Sequence, residues 1–111
     1  MRTALTVFVV AVLVSTTPIS AASIVRGQLF RLGPEGQRFP ASSIAVRLVN
    51  QNRGPSGFAY TGSDGMYYLY NIPADNYTLE VWLSQDPNRR LKVNVRVDDR
   101  PYTDVAPMEV P

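Results

Sequence analysis

Any chemistry in this chain has to be done without histidine or cysteine, because neither occurs among its 111 residues. That excludes Ser-His-Asp and Cys-His nucleophilic sites, thiolate chemistry, and zinc or copper centres built on imidazole. Carboxylates remain. Asp98, Asp99 and Asp104 form the densest group, but paired acids divide the work of acid and base only where burial or a cleft separates their pKa values. The stretch reads as a solvated turn. Asp64, Asp75, Asp98 and Asp99 also fall short of a calcium site, which draws roughly six to eight oxygens from a densely spaced loop. No catalytic residue, metal or cofactor is expected, so the chain reads as non-enzymatic. Asn76-Tyr77-Thr78 matches the N-x-T glycosylation pattern, which would mark an exposed turn.

The aromatic residues suit binding better than reaction. If Tyr67 and Leu69 face a core, alternation sends Tyr68 and Tyr70 outward. If Tyr77, Leu79 and Val81 face inward, Thr78, Glu80 and Trp82 face outward. With these two strands as hairpin partners, Tyr68, Tyr70 and Trp82 share one external face, which Phe58 or Tyr60 joins from a neighbouring strand. Such a platform suits a protein partner or a stacked sugar, since Tyr and Trp are enriched at interfaces. The plainer alternative tucks Trp82 under the loop at 50–57 and leaves the tyrosines on a solvated sheet, where tyrosine is a good strand former anyway.

The elements that carry these residues are strands. Apolar residues recur with period two between clusters of Gly, Pro, Asn and Asp. Seven strands are predicted, at residues 24–32, 44–49, 58–61, 66–70, 77–84, 91–97 and 105–110. The sixth is the cleanest: Leu91, Val93, Val95 and Val97 alternate with Lys92, Asn94 and Arg96, one face dry and the other wet. Pro107 cannot donate a ladder hydrogen bond, which places the last strand at a sheet edge. The pattern predicts an all-β domain, a seven-stranded antiparallel β-sandwich with Ig-like Greek-key connections.

The N-terminus differs from the rest. Arg2, the apolar run at 4–14 and the small residues Ser20, Ala21 and Ala22 follow the order of a cleaved signal peptide, with the cut after Ala22. The expected division is therefore a signal helix at 1–22 and a domain at 23–111. The apolar run is short of the ~20 residues of a transmembrane helix, so no stable membrane insertion is expected after signal removal. The expected location is secreted or periplasmic. Net charge is +2 and Arg2 leaves with the signal. Only Arg89, Arg90 and Lys92 cluster, far from the basic stripe of a nucleic-acid binder, so no nucleic-acid partner is expected.

The stretch from Thr61 to Val81, TGSDGMYYLYNIPADNYTLEV, resembles the carboxypeptidase regulatory-like family, whose fold is also called prealbumin-like or transthyretin-like. Thr61, Asp64, Gly65, Tyr67, Ile72, Pro73, Tyr77, Leu79 and Val81 fall on its pattern, and Leu69 takes its second aromatic position. Val25-Arg26-Gly27-Gln28-Leu29 and the strand at 44–48 resemble its opening strands. Two of its glycines are replaced, by Ser43 and Asp75. The resemblance implies an accessory module for folding, adhesion or partner contact. Adhesin sandwich domains, which are also similar, carry Lys–Asn cross-links from a first-strand lysine. The only lysine here, Lys92, sits on a late strand, and no cross-link is expected. Sequence thus points to a non-catalytic module that binds protein or carbohydrate through an aromatic sheet face or an edge strand, or else to a structural subunit of a cell-envelope assembly.

Overall fold

A computed structural model describes residues 22–86 and 88–111. The expected signal helix and all of its segment up to Ala21 lie outside the described residues, as does Pro87. Ala22, the residue before the expected cut, is exposed at the start of the described chain. Among the described residues there is no helix, and therefore none long and apolar enough to cross a membrane.

The described residues form ten strand segments: β1 (Ser23–Leu32), β2 (Arg38–Pro40), β3 (Ala45–Asn50), β4 (Gly54–Pro55), β5 (Ala59–Tyr60), β6 (Met66–Ile72), β7 (Asp75–Trp82), β8 (Arg90–Val97), β9 (Tyr102–Asp104) and β10 (Met108–Glu109). They build two five-stranded sheets. In the first, β1 is central. It is flanked at Arg26 by Tyr68 of β6 and Asp104 of β9, and at Phe30 by Pro40 of β2 and Glu109 of β10. In the second, the order runs β4-β3-β7-β8, with β5 also on β3.

This departs from seven antiparallel strands in two ways. The segments β2, β4 and β9 are two or three residues long, too short to show a period. And β9 and β10 run parallel to β1. Pro107 falls in the gap before β10, and Val105 still donates its N–H to the Arg26 carbonyl.

Alternation does set the faces. Tyr67, Leu69 and Ile72 from the first sheet meet Val46, Leu48, Tyr77, Leu79, Val81, Val95 and Val97 from the second in one core. Roughly 1.5–3 kcal/mol comes from burying each large apolar side chain. Along β6 the alternation breaks once. Ser23 pairs with Ile72 while Val25 pairs with Leu69, so β6 carries one extra residue there. The bulge is made by Asn71 at φ 58°, a left-handed backbone that Asn tolerates better than most residues.

Ser43 and Asp75, at the two positions without the expected glycine, differ in backbone conformation. Ser43 stands at φ 60°, the conformation that glycine adopts most freely. Asp75, by contrast, has no positive φ; it begins β7 and accepts a hydrogen bond from the Asn76 N–H. Thr61 is buried, and its Oγ1 accepts from the Ile44 N–H and donates to the Ala41 carbonyl, which ties the chain before β3 to the end of β5.

Candidate binding faces

The sequence places Tyr68, Tyr70 and Trp82 on one face, and the structure separates them. β6 pairs with β1, whereas β7 pairs with β3 and β8. The chain between β6 and β7 crosses from one sheet to the other instead of turning back as a hairpin. Both strands keep the inward faces that alternation predicts, but these face each other across the core and their outward residues point in opposite directions. Tyr68 and Tyr70 lie outside the first sheet. Trp82, Phe58 and Tyr60 belong to the second.

On the first sheet, the two strands that flank β1 contribute a tyrosine face. Tyr68 and Tyr70 stack side by side at 6.3 Å between ring centroids, 21° from parallel. Across β1 stands Tyr102 of β9, paired with Ile24. Tyr68, Tyr70 and Tyr102 are 41%, 62% and 48% exposed, so each leaves part of its ring open to solvent. Arg26 lies between them, its guanidinium 4.0 Å from the Tyr102 ring centroid and its Nε donating to Asp104. The hydrogen bond with Asp104, opposed by some burial and aided by its charge, raises the Arg26 pKa; the same bond holds Asp104 below its ordinary value. At an inter-strand spacing of about 4.8 Å, the row Tyr68, Arg26, Asp104 spans roughly 10 Å. Tyr102 was not foreseen. It sits beside a turn of Asp, Arg and Pro with no alternation to mark it, and only the parallel pairing on β1 reveals its direction.

On the second sheet, Trp82 is neither an open platform nor tucked under the loop at 50–57. Arg90 lies 4.1 Å and Arg47 5.1 Å from its ring, and Phe58 meets it edge-on at 5.3 Å. Both arginines converge on Glu80. Arg47 Nε donates to Oε1 at 2.8 Å, Arg90 Nη1 to Oε2 at 3.3 Å, and Trp82 Nε1 to Oε1 at 3.1 Å. Glu80 therefore points outward as alternation predicts, yet only 6% of it is exposed, because its neighbours roof it over. Burial pushes its pKa up, but the hydrogen bonds from Arg47 and Trp82 and the two positive charges outweigh that and hold it below the ordinary range. Arg90 Nε is buried without a partner. Phe58 and Tyr60 remain exposed at the rim of this cluster.

The carboxylates do not assemble into a site. Asp64 accepts from the Met66 N–H in the turn before β6, Asp75 pairs with Arg53, Asp98 with Arg96 and Asp104 with Arg26. Among the described residues no group of three or more acids is placed to hold a metal ion. Asn76 is exposed, and its carbonyl accepts from the Asn50 side chain. Lys92 is exposed on β8, paired across the ladder with Glu80.

No family model matches the chain, and no curated protein sequence does. Solved structures do. A suggested carbohydrate-binding protein from Pseudomonas aeruginosa superposes with a TM-score of 0.57 at 13% identity, covering 84% of this chain and 92% of that one. A DUF3823 family protein from Parabacteroides merdae gives 0.57 at 16% identity, over 81% of this chain and 46% of that one. The minor pilin of Streptococcus agalactiae gives 0.60 at 14% identity, over 84% and 47%. The chain thus spans about half the length of the latter two. At these identities the likeness is one of fold: all-β, in two sheets.

Proposed function

We propose that this chain is an exported, non-catalytic β-sandwich of the carboxypeptidase regulatory-like kind that binds carbohydrate through the outer face of its first sheet. The observation that carries the reading is the open tyrosine face of Tyr68, Tyr70 and Tyr102. An aromatic ring stacks on the apolar C–H face of a pyranose, and hydroxyl groups around the sugar then need polar partners close by. Arg26, Gln28 and Asp104 lie on the same face to supply them. The N-terminal signal pattern supports export, the missing histidine and cysteine support a non-catalytic role, and the likeness to a suggested carbohydrate-binding protein adds weight.

The test is a glycan array probed with the purified chain and with the Tyr68→Ala/Tyr70→Ala variant. Binding that falls at least tenfold, with unchanged circular dichroism, supports the reading. An array with no signal from the unchanged protein would end it. The second reading, an accessory subunit of a cell-envelope assembly, draws on the fold shared with a minor pilin.

A further inference from the structure

Strand β8 is the outermost strand of the second sheet, and its far edge has no partner among the described residues. Natural sheets blunt such edges with brevity, proline, bulges or charge. Here the first three are missing. β8 is eight residues long, contains no proline, and holds an unbroken register with β7 from Arg90 to Val97. Charge alone guards it, through the exposed Lys92 and Arg96 on its outer face.

Beside this edge the core is open. A groove of about 430 Å³ runs between β8 and the segment from Thr103 to Met108. Val93, Val105 and Met108 line it, and all three are only half-buried although they pack against the core. It is an apolar seam between the two sheets, next to an unpaired backbone.

We propose that β8 accepts an extended peptide strand from a partner protein, one in which aliphatic and acidic residues alternate. Added to the edge, such a strand continues the ladder, sends its aliphatic side chains into the seam and sets its acidic ones beside Lys92 and Arg96. The nearby acids offer little competition: Asp104 is paired with Arg26, and the pair of Arg96 with Asp98 is open to solvent. A second copy of the chain is the poorer fit. Antiparallel pairing of two β8 strands centred on Asn94 puts Lys92 of each opposite Arg96 of the other, and like charges directly opposite are destabilising. The charges that oppose this self-pairing are the ones that favour an acidic strand. The site is separate from the tyrosine face and does not depend on sugar binding.

The experiment mixes the purified chain with a seven-residue peptide alternating Glu and Val, or with its Lys/Val counterpart, and follows backbone amide exchange. The Glu/Val peptide is expected to slow exchange along β8 and to bind at least tenfold tighter than the Lys/Val peptide. Lys92→Glu combined with Arg96→Glu, both at exposed positions, is expected to reverse that preference. Equal binding of both peptides, or no protection of β8 by either, overturns the proposal. Protection of the edge-facing β8 amides in the chain alone, with concentration-dependent dimerisation by light scattering, also overturns it and makes a second copy the occupant.

Discussion

Replacing Glu80 by alanine should destabilise the fold by far more than a surface ion pair is worth. The carboxylate accepts three hydrogen bonds, from Arg47, Trp82 and Arg90. Its removal leaves two guanidinium groups facing each other across Trp82, one of them already carrying a buried Nε without a partner. Breaking a buried ion pair from one side costs about 3–5 kcal/mol. The arginine side chains are still 22% and 20% exposed, so water recovers part of that, and we expect a loss of about 2–3 kcal/mol. In a domain of this size that lowers Tm by roughly 10–20 °C. Glu80→Gln should cost nearly as much, because its amide N–H₂ points a donor at a donor. Urea unfolding followed by fluorescence measures both, since Trp82 is the only tryptophan and lies inside the cluster; far-UV circular dichroism guards against a local change in emission. Arg96→Ala, which breaks an exposed pair, serves as the control and should change stability by less than ~0.5 kcal/mol. A Glu80→Ala loss no larger than that control would show that solvent screens the cluster, and the reasoning would fail.

The depressed Glu80 pKa ties stability to acid. The unfolded chain takes up a proton near the ordinary glutamate value of about 4.3, while the folded chain resists it. Stability should therefore hold from neutral pH down to about 5 and fall as pH drops toward the folded pKa; urea midpoints against pH should show this acid limb, shallower in Glu80→Ala. Gly65→Ala should cost more than ~3 kcal/mol, because φ there is 76° and a Cβ would stand 2.4 Å from the Leu29 carbonyl oxygen. Calorimetry that finds it near neutral would refute the close approach. Thr61→Val removes a donor and an acceptor at once and leaves the Ile44 N–H and Ala41 carbonyl unpaired, for an expected loss of about 1–3 kcal/mol in chemical denaturation.

Alternation in the sequence was a good guide to which side of a strand is dry. It placed Tyr67, Leu69, Tyr77, Leu79 and Val81 in the core, where all five are buried. It could not name neighbours. A strand carries the same period whether the next strand lies beside it or across from it, so the step from β6 to β7 looked like a hairpin. The residue that marks the crossing, Asn71, is one of many turn-forming asparagines in the chain. Alternation sends Trp82 and Glu80 outward, as part of an aromatic face or with Trp82 under the loop at 50–57. Direction was right, but two arginines from other strands cover them, and no local pattern announces a contact between residues ten and thirty-three positions apart. Leu91 and Val93 show the opposite failure: their clean alternation promises a dry face, while their place at the sheet edge leaves them half-exposed.

The central position of β1 also bears on how the chain acquires its structure. β1 comes first among the described strands, yet two of its four partners, β9 and β10, follow all the others in chain order. The Ser23 hydroxyl meets Thr103 eighty residues later, and the Phe30 carbonyl accepts from the Val110 N–H. Closing loops of that length before any contact repays them slows folding. Until residues 102–110 arrive, β1 has one bare edge and the core lacks Val110, which is buried once in place. Residues 102–110 act as a latch, and a protease cut just before them would open the first sheet along its middle strand.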